Sequence, residues 1–398
     1  MADTTIMRRN NLQMVLDAIS ENGEITASEL VKLTGLSVAT ISRVISQLRA
    51  KKLVLQDRKA DSELGRKPET CRVNGGYGCS LYINLKCGGL QCYLLDFSGK
   101  IIGQTEAPVN PELTVEDFLK LTKEQISVLY QPGFGELLAV CLSVPGQLDR
   151  RSGTVRRIPN FPNFEYVPLA DRVEKSIGIP CIIWNTARLT AWGCGQARRG
   201  QEDNLIYIDI TADGGIGAGL VIDGRLYEDR AGHVGEMGDM IVHIRPYDRA
   251  QMQTRGALEQ ESGLNTVLRR CAALLEEGKA PALAAMLGDA EQPTLSQLEE
   301  ASRKDPEIAA VLEESTRSWA AAIVNLMAVL SPDEVVLGGD LSEENWRIAS
   351  MIRRHLSDLY YRAVHLRLAE LDALYHVKGA AAMLRRMLFD DALDHIAE

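Results

Sequence analysis

The 398-residue chain lacks four features that would each have marked a class of protein. It has no stretch approaching the roughly 18 consecutive apolar residues of a membrane span, and no apolar segment near its start of the kind that marks a secretion signal. No membrane partner is expected, and the chain reads as cytoplasmic. The eight cysteines, at 71, 79, 87, 92, 141, 181, 194 and 271, contain no Cys-x-x-Cys pair and stand beside only six histidines. That pattern implies reduced thiols rather than structural zinc. Nor is there an overall positive charge: 44 basic against 54 acidic side chains leave −10, which excludes a uniformly basic nucleic-acid coat. With 45% hydrophobic and 25% charged residues, the chain is no disordered tail, and it is too long for one small core. Two or three domains are expected.

The charge is unevenly spread. Residues 1–70 carry eleven Lys and Arg against nine Asp and Glu, and residues 43–67 carry eight basic against three acidic side chains. A basic patch on an acidic protein points to a polyanion partner for this end alone, the plain alternative being a solvated helix face.

Periodicity bears on that choice. Leu12, Val15, Leu16 and Ile19 recur at helical spacing until Asn22-Gly23. Thr26-Ala-Ser-Glu29 has the form of a capping box and is followed by Leu30 and Leu33 before Gly35. A third segment opens at Ser37 and turns Ile41, Val44, Ile45 and Leu48 inward, leaving Val38, Ala39, Thr40, Ser42 and Arg43 at the start of its outer face. Two helices joined by a tight glycine turn, the second opening with small polar residues, form the helix-turn-helix layout. Leu53–Leu55 and Thr70–Val73 would pair as the wing, and Gly65-Arg66-Lys67-Pro68 between them would enter a minor groove or track the backbone. Candidate DNA contacts are therefore Ser37, Ala39, Thr40, Ser42, Arg43, Arg66 and Lys67. A winged helix that docks a protein is the alternative.

From about residue 78 strands and helices alternate. Ser80–Leu85, Gln91–Asp96 and Gly99–Ile102 read as strands turned by glycines, followed by a helix over 114–129 and a strand from Leu137 to Val144. Leu205–Ile210, Asp213-Gly-Gly-Ile-Gly-Ala-Gly219, Leu220–Ile222 and Asp223–Leu226 repeat the strand, glycine-turn, strand order, which suggests an internal duplication. The fold class is thus α/β: an N-terminal winged helix-turn-helix, then a two-lobed actin-like ATPase fold, whose glycine turns offer backbone N–H groups to phosphates. The expected divisions are 1–77, 78–190 and 191–398. Amphipathic helices are expected over 257–276, 294–302, 308–330, 343–360 and 378–388, around a strand at Asp333–Leu337.

These residues together resemble the ROK family of repressors, open reading frames and sugar kinases. The resemblance rests on the winged helix and Gly-Arg-Lys-Pro, Ile177-Gly-Ile-Pro180 leading to Asn185, Gly215–Gly219, Gly232–Gly238 around Glu236, and Val336-Leu-Gly-Gly339. It implies an oligomer, a homodimer or a dimer of dimers, that binds operator DNA under the control of a sugar or sugar phosphate in the cleft. A two-fold dimer implies a palindromic operator.

Departures from the family pattern bear on activity. Where family kinases have Asp-x-Gly-Gly-Thr, this chain has Asn84-Leu-Lys-Cys-Gly-Gly-Leu90. Where they have the catalytic aspartate of Glu-Asn-Asp-Ala, it has Trp184-Asn-Thr186-Ala187, and a threonine hydroxyl is no general base near pH 7. At the family's zinc motif it has Asp239 and then Ala250–Ala257, without a thiolate or imidazole. Neither zinc nor ATP is expected, and the chain reads as no enzyme. The alternative is an active or bifunctional sugar kinase using Asp209, Asp213 or Asp239 as base. The resemblance leaves Asn160, Asn185, Glu236, Asp239 and Glu259 as ligand-binding candidates, with His233 as a further one. Each has a structural alternative: a turn for Asn160, a helix cap for Asn185, a solvated carboxylate for Glu236 and Glu259.

Overall fold

The computed structural model describes residues 2–58, 69–197, 204–212, 215–229, 232–244, 256–288, 292–341, 343–370 and 372–397. Arg66 and Lys67 lie outside the described residues, as do Asp213 and the positions 250–255 of the expected zinc comparison.

The N-terminal domain follows from its capping and apolar spacing. Helix α1 (Ala2–Asn22) buries Leu12, Val15, Leu16 and Ile19 completely. Helix α2 (Ala27–Thr34) starts with a reciprocal cap: the Glu29 amide donates to the Thr26 hydroxyl, and the Thr26 amide donates to the Glu29 carboxylate. Gly35, at φ 69°, ends it in the left-handed conformation that glycine adopts without a Cβ penalty. Helix α3 (Val38–Ala50) begins at Ser37, whose hydroxyl accepts from the Thr40 amide, and it buries Ile41, Val44, Ile45 and Leu48. Strand β1 (Ile25–Thr26) pairs antiparallel with β3 (Glu69–Val73), and β2 (Val54–Arg58) pairs with the other edge of β3. This is the expected helix-turn-helix and wing.

Two lobes follow, and their sheets share one topology. In the first lobe, β4 (Cys79–Lys86), β5 (Gly89–Asp96) and β6 (Ile101–Pro108) form an antiparallel meander. Helix α4 (Val115–Leu129) leads to β7 (Leu137–Val144), which lies parallel to β4. A small hairpin, β8 (Gln147–Asp149) and β9 (Thr154–Arg157), precedes α5 (Leu169–Ile177) and β10 (Cys181–Asn185), which adds parallel to β7. The sheet order is β10-β7-β4-β5-β6. After α6 (Thr186–Ala197), the second lobe repeats the plan with β11 (Leu205–Thr211), β12 (Gly215–Ile222), β13 (Arg225–Leu226), β14 (Glu334–Gly339) and β15 (Leu366–Leu368), in the order β13-β12-β11-β14-β15. In each lobe a hairpin meander is extended by two parallel strands beyond its first strand. The duplication suggested by the glycine turns is thus present in the strand order.

The structure differs from the sequence reading in the C-terminal part. The stretch 257–276 is two helices, Ala257–Ser262 and Leu264–Glu276, because Gly263 is extended (φ −56°, ψ 145°), and a Cβ there would lie 2.6 Å from the Glu259 carbonyl oxygen. A helix at Pro281–Leu287 and strand β15 carry too few residues to show a period. The final helix runs from Tyr375 to Ala397, well beyond 378–388. It packs on α6, on β7 and on α1, so the end of the chain returns to the first lobe and the DNA-binding domain. Its Phe389 and Leu393 share one buried cluster with Leu12 and Leu16.

Candidate DNA-binding face and ligand cleft

On α3 the inward stripe of Ile41, Val44, Ile45 and Leu48 leaves Ser37, Ala39, Ser42 and Arg43 exposed, with Thr40 partly covered. Two of these groups already serve the helix start: the Ser37 and Thr40 hydroxyls lie 2.9 Å apart beneath the cap. Ala39, Ser42 and Arg43 therefore supply the open part of the face. One link was not legible in the sequence. Arg49 donates to the Gln56 side-chain Oε1 at 2.8 Å and the Gln56 Nε2 donates to the Glu69 carboxylate at 2.7 Å, which fastens the end of α3 to both wing strands. The signal was there only as polar residues at strand positions whose partners depend on register.

Between the lobes lies a cavity of about 200 Å³ lined by Asn160, Glu259, Arg157, Thr211, Gly215 and Thr266 among others. Asn160 takes a left-handed φ of 65°, a conformation asparagine tolerates better than most residues. Glu259 sits in a glycine cradle: a Cβ on Gly215 would lie 2.5 Å from its carboxylate oxygen, and one on Gly238 would lie 3.1 Å away. Gly215 has φ 85°, so both space and backbone conformation require glycine there.

Asn185 and Glu236 converge on a second pair of neighbours. The Asn185 carboxamide donates to the Gly146 carbonyl at 2.8 Å and accepts from the Arg188 amide at 3.1 Å, capping α6. Gln147 donates to Glu236 at 3.3 Å, and burial raises the Glu236 carboxyl above the ordinary range, opposed by Gln147 and by the Arg188 charge. Arg188, which the sequence reading passed over, is buried and donates to the Val234 and Gly232 carbonyls at 3.0 and 2.7 Å. It holds the loop that presents Glu236. Asp239 and His233 are exposed; Asp239 lies against Gly256, where a Cβ would collide with its carboxylate. The Thr186 hydroxyl is buried at the start of α6 with no hydrogen-bond partner among the described residues. Asp209 lies elsewhere, on β11, where it accepts from the Tyr207 hydroxyl at 3.1 Å. Among the described residues, no group of three or more His, Cys, Asp or Glu is placed to hold a metal ion. No described helix is long and apolar enough to cross a membrane.

The ROK family pattern matches residues 82–387, most of the chain. The chain belongs to the ROK family. A MarR family pattern matches residues 14–67 of the same ROK protein, over the helix-turn-helix and wing. A xylose repressor of Caldicellulosiruptor bescii is 26% identical over 348 residues, covering 86% of each chain. Among solved structures, a ROK family transcriptional regulator described as a homologue of the Escherichia coli MLC protein matches with a TM-score of 0.79 at 22% identity, over 98% of this chain and 99% of that one. A ROK family glucokinase from Streptomyces griseus, solved with glucose and AMPPNP, matches with a TM-score of 0.63 at 23% identity, over 78% of this chain and 100% of that one. The fold is therefore a winged helix-turn-helix followed by the actin-like sugar-kinase body.

Proposed function

We propose that this ROK protein is a DNA-binding transcriptional regulator, a repressor of carbohydrate-metabolism genes, that senses a sugar or sugar derivative in a cleft without kinase activity. One observation carries the reading: a continuous packed path runs from the cleft to the DNA-binding domain. Asn185, at the start of α6, holds Gly146 against Arg157 and Pro159 of the cleft wall, α6 packs on the final helix, and the final helix packs on α1. A ligand that prefers one angle between the lobes then biases the placement of α3 by population shift. Asn160 and Glu259 are the groups best disposed to bind sugar hydroxyls, while Asn185 and Glu236 hold Gly146 and Gln147, which adjoin Arg157 of the cleft wall.

Loss of kinase chemistry follows from Thr186. Its hydroxyl stands where the family resemblance puts the catalytic aspartate, and it cannot take a sugar proton at neutral pH. The relative named a xylose repressor supports the same direction. A homodimer would set two α3 helices about 34 Å apart on successive major grooves of a palindromic operator. Retardation of a DNA fragment selected from the genome by the protein, with and without a panel of sugars and sugar phosphates, tests the reading. A sugar that shifts the retarded fraction is expected; sustained ATP turnover on any of those sugars would overturn the inactive cleft.

A further inference from the structure

A larger cavity, about 1050 Å³, lies on a different part of the ROK body from the sugar cleft. Its walls come from the β8–β9 turn and β10 of the first lobe, from β13 of the second lobe, and from the final helix. The side chains around it are unevenly satisfied. Each wall carboxylate is already engaged: Asp171 by Lys175 at 2.8 Å, Glu174 by the Cys181 amide at 3.1 Å, Glu228 by Arg150 at 2.9 Å, and Asp390 by Arg9 at 3.2 Å. Arg150 is fixed further by lying 4.3 Å over the Trp184 ring. The guanidiniums of Arg151, Arg225 and Arg386 have no hydrogen bond or close ion pair among the described residues, the Arg386 charge acting on Glu228 only from a distance. Trp192 and Met387 add an apolar floor.

We infer that this cavity is an anion-binding site for a small phosphorylated metabolite, separate from the sugar cleft and read by Arg151, Arg225 and Arg386. Three guanidiniums without a close partner face one space, and of its four carboxylates Asp171, Glu228 and Asp390 are each held by another cation, which leaves these donors open to an anion. Guanidinium groups meet phosphate oxygens through paired N–H donors, and the volume is that of a small-molecule site. The three arginines come from the first lobe, the second lobe and the final helix, so a shared anion holds the lobes at one angle. It also bears on the helix whose Asp390 pairs with Arg9 of α1. That link to DNA rests on the regulatory reading above; the occupancy does not.

Isothermal titration of the full chain, without DNA or sugar, tests occupancy with pyrophosphate and p-nitrophenyl phosphate as probes and p-nitrophenol as the uncharged control. Both anions are expected to bind and p-nitrophenol is not. Arg151→Gln with Arg386→Gln should weaken each anion by about tenfold or more per guanidinium removed. All three arginines are exposed, and Arg225→Gln on the edge strand repeats the test should the double substitution fail to fold. The proposal is overturned if binding survives these substitutions or if p-nitrophenol binds equally well. It is also overturned if Asn160→Ala in the cleft abolishes anion binding, or if sedimentation shows a second copy of the chain filling the cavity instead. A normal anion titration in a chain that ignores DNA would sink the regulatory reading and leave the site standing.

Discussion

Arg9 donates to Asp390 at 3.2 Å, joining the first helix to the last across 381 positions. Both side chains are more than a third exposed, so the ion pair contributes little by itself. The buried cluster beneath it, with Leu12 and Leu16 on one side and Phe389 and Leu393 on the other, supplies the adhesion.

Leu393→Ala should accordingly lower stability by about 2–5 kcal/mol and loosen the DNA-binding domain, while Arg9→Ala costs less than about 1 kcal/mol. Denaturant unfolding compares the two, and limited proteolysis between residues 50 and 80 reports the loosening. Equal effects would mean that the charge pair carries the docking.

Arg43→Ala should weaken binding to the selected DNA by about 1–3 kcal/mol. If Arg43 contacts a phosphate, the dependence of affinity on salt should also become shallower by about one ion. Unchanged retardation at every salt concentration would show that α3 does not enter the groove by this face.

In the cleft, Gly215→Ala should abolish the sugar response and leave DNA binding in place, since the added Cβ lies 2.5 Å from the Glu259 carboxylate on a backbone at φ 85°. Glu236→Ala should have the same outcome through loss of its hold on Gln147, which pairs with Arg157 of the cleft wall. Thermal shift with the responsive sugar and retardation without it separate the two functions. Loss of both together would assign these residues to folding.

Burial raises the Asp209 carboxyl from 3.8 to about 6, with the Tyr207 hydroxyl pulling it down and Asp340 pushing it up. A folded-state value above the unfolded one penalises the native protein at neutral pH, and the penalty disappears as pH falls from about 6 to 4. Asp209→Asn should therefore gain stability over the parent at pH 7 and lose that advantage at pH 4. Melting curves across this range check the sign. The same variant serves the kinase alternative, because a base with this value is poised near neutrality: ATP turnover present in the parent and absent in Asp209→Asn would revive it.

The sequence by itself determined the local structure wherever one residue's chemistry was enough. Thr26 with Glu29, Ser37 and Gly35 set the ends of α2 and α3, because a cap is satisfied within three or four residues. The repeated glycine turns announced two related lobes for the same reason, each hairpin being closed by its own neighbours. Tertiary structure decided what depends on distant partners. It made Asn185 a cap that also holds Gly146, gave Arg188 the carbonyls of Gly232 and Val234, and placed Glu259 inside two glycines far from it in the chain. It also carried the final helix back to α1. No periodicity encodes that return: an amphipathic stripe states that a helix buries one face, and only the packed chain selects what covers it.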